Sequence, residues 1–325
     1  MRKIVYVIWI LILSGIVTGC FAGEGFEDYM DAIHRTDQMQ KGASRMEAEV
    51  VSIMNENLIN KLSNNERNEI SGLEHVKLTI EDHFDHEVSN RKMDVYLYQN
   101  DLGVDLKLYQ LGPEELYLII PFMKGTYKVD GATNQTFVTE ENVEALFDLI
   151  GQNWNGMLSA ENVFVGERTL IKSEDGEIKA TKFTVKPTST QLNAFTKQLK
   201  IVILDHYEVL SQFIKNLNTQ NTDAELTEEV YREIVEALFS SMTIKRYEEV
   251  AFMNLDGYIV DELIEIEIDY ADSSTFENVF SSQTIRIKSN KWDIERNQTF
   301  DFSSLNLNDV KPVESLMNGG LKNDR

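Results

Sequence analysis

Cysteine and proline are scarce in this 325-residue chain, which has one cysteine and four prolines. A single cysteine excludes an intramolecular disulfide and a cysteine-rich zinc site, so an exported fold would depend on its core alone. No proline-rich linker divides the chain, and a hydrophobic content of 42% indicates a globular protein. The chain also lacks a G-x-S-x-G elbow, a phosphate-binding loop and an aspartate-rich calcium loop. We therefore expect no enzyme, no catalytic residue and no cofactor.

Basic residues are also few: 31 lysines and arginines stand against 54 acidic residues, for a formal charge of -23. This balance argues against a nucleic-acid partner, whose phosphates would repel the protein, and against docking on anionic lipid by charge. We expect the acidic residues to form a solvated surface that keeps the protein soluble.

The first twenty residues have the layout of an export signal. Arg2 and Lys3 precede an apolar run over residues 4–13, which is shorter than the roughly 20 residues that span a bilayer. Small residues then lead to Cys20, the lone cysteine. An ordinary secretory signal with a chance cysteine is the alternative interpretation.

Val17-Thr18-Gly19-Cys20 resembles the bacterial lipobox. The resemblance implies that residues 1–19 are a lipoprotein signal peptide and that Cys20 carries a diacylglyceryl anchor in the cell membrane, on its extracytoplasmic face. Residues 20–25 would form a short tether, which places the folded body within about 20 Å of the membrane.

The spacing of apolar residues changes from helical to period two after the first forty positions. Phe26, Tyr29, Met30 and Ile33 predict a first helix, and the alternation from Ser44 to Asp130 predicts an antiparallel meander of five or six strands around the polar insert Asn60–Gly72.

Helices and a second set of strands follow. A helix bears Val143, Leu146, Phe147, Ile150 and Trp154; a hairpin runs over Asn162–Lys186 around Asp175-Gly176; and a long helix follows Pro187. Thr222 and Glu225 have capping-box spacing and predict the start of another helix. The last strands are predicted at Thr243–Asn254, Tyr258–Tyr270 and Thr284–Ile294.

This order predicts an α+β fold in which the three strand regions form one antiparallel sheet. We expect a single domain over residues 26–300 and an irregular C-terminal tail over 301–325.

His83 and His86 form the one histidine cluster. On a strand they would point to opposite faces, whereas on a helix they could share a metal. The segment lacks the second histidine of a zinc-protease helix, so a polar turn or strand end is the favoured interpretation and no metal site is predicted.

The order of elements resembles the LolA-like superfamily, which includes LppX- and LprG-like lipid-binding lipoproteins. Three phrases carry the resemblance: Asp31–Met39, Leu116–Pro121 before Gly125-Thr126-Tyr127, and Asn254–Val260. The resemblance implies a strongly curved antiparallel sheet, an open half-barrel, with helices covering its concave face over an apolar cavity. Members with known roles carry lipids or acyl chains.

The candidate ligand cavity takes strand residues from the meander and aromatic residues from the helices that the resemblance places above it. They are Met93, Val95, Leu97, Val104, Leu106, Leu108, Leu116, Leu118, Ile120, Phe147, Trp154 and Phe195. A filled core needs the same apolar face, so two functions stay open. One is binding of a lipid or other amphiphile, and the other is an envelope protein–protein interaction with no small-molecule ligand.

Overall fold

A computed structural model describes residues 24–100, 102–123, 125–129, 140–211, 227–271 and 278–313. Cys20 and the predicted signal segment lie outside these residues. The described helices are α1 (Glu24–Asp37), α2 (Glu56–Ile59), α3 (Asn64–Ser71), α4 (Glu140–Met157), α5 (Ser189–Asp205) and α6 (Glu228–Ser241). None of them is both long and apolar enough to cross a bilayer.

Twelve strands are described in the same ranges. They are β1 (Lys41–Met54), β2 (His75–Asp85), β3 (Asn90–Gln99), β4 (Leu102–Leu111), β5 (Leu116–Ile120), β6 (Gly125–Val129), β7 (Val163–Ser173), β8 (Gly176–Val185), β9 (Met242–Met253), β10 (Ile259–Tyr270), β11 (Phe280–Trp292) and β12 (Val310–Pro312).

All twelve strands belong to one sheet, in the order β12-β6-β5-β4-β3-β2-β1-β11-β10-β9-β8-β7. Neighbouring strands are antiparallel except β12 and β6, which pair in parallel. The sheet is not closed into a barrel, since β12 and β7 end the order. The α+β class and the single sheet drawn from three strand regions are thereby confirmed.

Several predicted boundaries differ from the observed ones. Thr227, rather than Thr222, caps α6 by accepting a hydrogen bond from the backbone N–H of Val230; Thr222 lies outside the described residues. The polar insert Asn60–Gly72 contains α3, because Ser63 and Glu66 make a capping box at the start of that helix, and α2 ends just before the insert. The predicted irregular tail contains β12.

The hairpin of β7 and β8 turns where the Asp175-Gly176 pair predicts it. Gly176 has a φ of +102°, a left-handed conformation that glycine adopts without the clash a β-carbon would cause. Asp175 also accepts a hydrogen bond from the backbone N–H of Asp293 at 3.2 Å and pairs with Arg296 at 2.9 Å. The turn is thus fastened to the chain just beyond β11.

One hydrophobic core lies between four helices and five strands. The helices are α1, α4, α5 and α6, and the strands, in sheet order, are β8, β9, β10, β11 and β1. The helices contribute apolar stripes at the spacing of three and four that places side chains on one side, and β10 contributes alternate isoleucines. The fully buried members include Leu146, Ile150, Leu192, Leu199, Ile264, Ile266 and Ile285.

The segment after β11 crosses the opposite face of the sheet before it reaches β6. Tyr109, next to Leu108 in β4 and therefore on the other face, is buried. Its hydroxyl lies 2.6 Å from that of Ser304, and its ring packs edge-on against Phe302. Burial of Tyr109 explains how a segment with little regular structure holds its place.

The face assignment of β10 can be tested by comparing two neighbouring positions. Ile266 is buried, whereas the side chain of Glu267 is 46% exposed and pairs with Arg246 at 2.9 Å. Ile266→Ala should lower the free energy of unfolding by about 2–5 kcal/mol because it leaves a cavity. Glu267→Ala should change it by less than about 1 kcal/mol, as expected of an exposed ion pair. Urea unfolding measures both, and equal losses would contradict the assignment.

Candidate functional site: an open apolar face and a buried carboxyl pair

Cross-strand register joins the predicted cavity strands to the closed core on one face of the sheet. In an antiparallel pair, residues directly opposite each other point to the same face. One row of such partners crosses seven strands, from β4 to β9: Val104, Leu97, Leu78, Ala48, Ile287, Ile264 and Glu249. One face is therefore almost continuously apolar across most of the sheet.

The strand residues of the predicted cavity share this face. Met93 is opposite Leu108, Val95 is opposite Leu106, and Leu108 is opposite Leu118. Leu116 and Ile120 follow by alternation along β5. We refer to eight of these residues as the open face: Met93, Val95, Leu97, Val104, Leu106, Leu108, Leu116 and Leu118.

Burial falls along the row toward the open face. Ile264 is 1% exposed, whereas Leu97 and Val104 are 43% and 40% exposed. The remaining members of the open face are half-buried, and Ile120 at the end of β5 is buried. The open face is thus an apolar surface in contact with solvent in the described structure, beside a core that is closed.

The three predicted helix residues lie over the other half of the sheet. Trp154 and Phe195 are buried, with their ring centroids 5.1 Å apart, and Trp154 also packs against Tyr247 of β9 at 4.4 Å. Phe147 is half-buried and packs against the same core. The structure places Trp154 and Phe195 above β9, whereas the predicted strand residues lie on β3 to β5.

A buried carboxyl pair lies on the same face, within the closed core. Glu249 and Glu262 occupy inward positions on β9 and β10 and are 2% and 6% exposed. The hydroxyl of Tyr247 donates to Oε2 of Glu249 at 2.8 Å, and the hydroxyl of Tyr29, on α1, donates to Oε1. Helix α1 is thereby connected to β9 through a carboxyl group beneath it.

Burial dominates the titration of this pair. It raises the pKa of Glu249, and the neighbouring charge of Glu262 raises it further, while the hydrogen bonds from Tyr29 and Tyr247 oppose the rise. Burial also raises the pKa of Glu262, against the attraction of Lys291. The two carboxyls therefore hold a proton at pH values where a free glutamic acid has lost it.

Sequence reasoning missed this pair because acidic residues are too abundant for any two to stand out. A usable signal was present in the alternation of β10. The buried Ile264, Ile266 and Ile268 share the parity of Glu262, so a glutamate falls on the apolar face. An acidic residue in an inward position, rather than an acidic pair, is the pattern that identifies it.

The histidine cluster lies at the end of β2. His83 is within the strand, with Nε2 3.9 Å from Glu81, and His86 follows the strand with its ring 4.9 Å from that of Phe84. Across the described ranges, no three histidine, cysteine or acidic side chains are grouped so as to hold a metal ion. The placement of His83 agrees with the interpretation as a strand end.

Comparison with known proteins gives little help. No protein family and no curated protein matches the chain. Among solved structures, the chain is similar to a beta-barrel-like protein of the domain of unknown function DUF1849 from Brucella abortus, with 9% identity over 78% of this chain and 100% of that chain, at a TM-score of 0.20. A TM-score this low carries no argument about fold or function.

The carboxyl pair predicts a pH dependence of stability. The folded state retains a proton that the unfolded chain releases above about pH 4.5, so the free energy of unfolding should fall as pH rises through neutrality. The limiting slope is about 1.4 kcal/mol per pH unit for one proton. Glu249→Gln, which is uncharged throughout, should flatten this fall.

Glu248→Gln is the matched control. Glu248 is the preceding residue, on the other face, where hydrogen bonds with Arg246 and Lys186 lower its pKa. The control should therefore keep the fall in stability above pH 5 that the unmodified protein shows. Denaturant unfolding at a series of pH values measures all three proteins, and the same slope for Glu249→Gln and the unmodified protein would contradict the assignment.

Proposed function

We propose that this chain is a lipid-anchored extracytoplasmic lipoprotein that binds a lipid or other amphiphile on the open face, without catalysis. The observation that carries the proposal is the row of cross-strand partners that begins in the closed core and ends at the exposed Leu97 and Val104. Contiguous exposed apolar side chains of this kind are typical of binding surfaces.

An acyl chain suits this surface because both are apolar and extended. Contact would remove apolar area of the open face from water, at roughly 25 cal/mol per Å2. The core beside it would remain closed, since residues such as Trp154 and Ile264 are already buried. The ligand would thus extend the existing apolar layer, and the helices and strands of the closed core would not have to separate.

We further propose that the sheet is the curved half-barrel of the LolA-like superfamily, with α1, α4, α5 and α6 on its concave face. The position of the β7–β8 turn supports this. Strands β9 and β10 separate β8 from β11, yet Asp175 in that turn bonds to Asp293 and Arg296, beyond the end of β11. Such a contact is expected where a sheet curves around the helices packed on its concave face.

A non-catalytic role is supported by the surroundings of the buried carboxyl pair. Glu249 and Glu262 are buried, and the hydroxyls of Tyr29 and Tyr247 already bond to Glu249. An acid–base pair must reach its substrate, at hydrogen-bond distance or through one water. In this arrangement the pair holds α1 against the sheet.

An envelope protein partner is the second candidate function. Leu102, at the start of β4, is 80% exposed and follows the parity of the open face, so the apolar surface extends to the edge of the protein. A protein surface could cover it as well as an acyl chain could. Extraction of the purified protein with organic solvent, followed by mass spectrometry of the extract, separates the two, since co-purified lipid favours the carrier.

Substitution of Leu106 tests the open face directly. Leu106 is half-buried at the centre of β4, so Leu106→Trp should fill the surface and weaken binding of a fluorescent fatty acid at least about ten-fold, a cost of about 1.4 kcal/mol. Stability should change by less than about 1 kcal/mol. In a filled core, the same change would overpack and destabilise by about 1–3 kcal/mol.

The control for this variant is Asp105→Trp, which adds the same ring to the neighbouring residue on the other face. It should leave fatty-acid binding unchanged. An unmodified protein that does not bind the probe, together with a destabilised Leu106→Trp variant, would contradict the carrier and favour the protein partner.

The anchor is tested by Cys20→Ala. Removing the thiol removes the site of lipid attachment, so the protein should leave the membrane fraction or accumulate as an unprocessed precursor. Cell fractionation with immunoblotting measures both outcomes. A variant that is processed normally and stays in the membrane fraction would show that Cys20 is not the anchor.

A further inference from the structure

Strand β7 lies beside the point where the folded body begins. Gly25, in the first turn of α1, is so close to β7 that a β-carbon added to it would collide with Cγ2 of Val165. Any other residue at this position would require the Val165 side chain to move. The start of α1 and the first half of β7 are therefore in direct contact.

The tether proposed above restricts how far β7 can lie from the membrane. Gly25 is the fifth residue after Cys20, and covalent geometry limits the span of these five steps to about 18 Å. Since Val165 adjoins Gly25, an anchor on Cys20 would keep β7 close to the lipid headgroups. This limit follows from chain length alone and needs no assumption about the conformation of the tether.

The surface of β7 carries apolar side chains that the core does not use. Phe164, Val165 and Leu170 are each more than half exposed, and β7 is the last strand of the sheet at this edge. Val165 and Leu170 lie on the same face, and Phe164 lies on the other. Apolar residues in this number on an outermost strand are a liability unless something covers them.

The charge near β7 differs from that of the whole protein. Residues 163–185, which form β7, β8 and the turn between them, have four acidic and four basic side chains, whereas the whole chain has 54 acidic residues against 31 basic ones. Lys179 lies directly across from Leu170 in the β7–β8 pair, and Arg168 and Lys172 are exposed on β7. A region without net charge is not repelled by anionic lipid as the rest of the protein is, and its basic side chains can bind lipid phosphate groups.

We propose that β7 and β8 form the surface that docks on the membrane to which Cys20 is tethered. We refer to the exposed Val165 and Leu170, with Arg168, Lys172 and Lys179, which share one face of the β7–β8 pair, as the docking surface. Its apolar side chains enter the headgroup boundary and its basic side chains bind lipid phosphates. The inference rests on the proposed anchor, which orients the surface toward the bilayer.

The docking surface is compatible with the negative net charge of the protein. Overall charge argues against electrostatic attachment to anionic lipid, but screening limits each interaction to about 8–10 Å, so the local distribution decides. With β7 and β8 against the membrane, strands β4 to β6 lie at the far end of the sheet order. A single short anchor would then suffice to orient the whole domain.

The experiment measures the depth of a single label in the anchored protein. Leu170→Cys is introduced into the full chain, which is extracted from bacterial membranes, checked by mass spectrometry for lipid on Cys20, and labelled with a thiol-reactive fluorophore. Cys20 is the one native cysteine, and lipid on its thiol prevents it from reacting with the fluorophore, so only the introduced cysteine is labelled. The protein is placed in phosphatidylcholine–phosphatidylglycerol vesicles that contain a headgroup-level nitroxide lipid, and quenching is recorded.

Leu307→Cys is the matched control. Leu307 is also an exposed leucine, and it lies next to β12, at the opposite edge of the sheet from β7. Quenching at position 170 should exceed that at position 307 about two-fold or more, as expected of a side chain at the headgroup boundary. Equal quenching at the two positions, or none at position 170, would overturn the proposal.

Charge variants test the basic half of the surface. Lys172→Gln with Lys179→Gln should reduce the docked population about five-fold for each charge removed, whereas Lys311→Gln on β12 should have no effect. Quenching that is unchanged in the double variant would overturn the role of the lysines. A chain with no lipid on Cys20 would fail at the mass measurement, so failure of the anchor and failure of the docking surface are distinguishable.

Discussion

Antiparallel register is the constraint on which the rest of the structure depends. Because opposite residues share a face, an apolar position in one strand requires a matching one in the next, and the row from Val104 to Ile264 meets this requirement over six strands. A slip of one residue in any pair would turn the whole apolar set of that strand to the other face. The same register thus builds the closed core and the open face, and they differ in what lies above them.

The polar exceptions on this face are placed where other groups can satisfy them. Glu249 ends the apolar row, and the hydroxyls of Tyr29 and Tyr247 supply its hydrogen bonds. A buried carboxyl without such partners would cost several kcal/mol, whereas a protonated and bonded one costs far less. The pair therefore connects α1 to the sheet at one defined position, which apolar packing alone does not specify. Helix α1 in turn contacts β7, so the carboxyl pair also helps to set where the proposed tether leaves the protein.

The sequence predicted most strands because period-two alternation is a local signal, read from one segment at a time. The alternation of Ile264, Ile266 and Ile268 and the turn at Asp175-Gly176 were sufficient for their elements. The shared face of Met93, Val95 and Leu106 was also predictable, since it follows from alternation once the meander is assumed. Alternation could not predict which strands each helix covers, because no local pattern contains this information. Trp154 and Phe195, for example, lie over β9. The start of α6 was wrong for a simpler reason, because Thr222 and Thr227 both precede acidic residues and are both plausible caps.

Overall composition led to one expectation from which the proposed docking surface departs. A net charge of -23 is an average over a protein in which residues 178–204, most of β8 and all of α5 except its last residue, include five lysines and no acidic residue. Net charge excludes a partner reliably only when the charged residues are distributed evenly over the surface, and in this protein they are not. The proposed docking surface and the open face then occupy separate parts of one sheet, one near the anchor and the other remote from it along the strand order. An acidic remainder between them favours this orientation, because repulsion from anionic lipid holds the rest of the protein away from the bilayer.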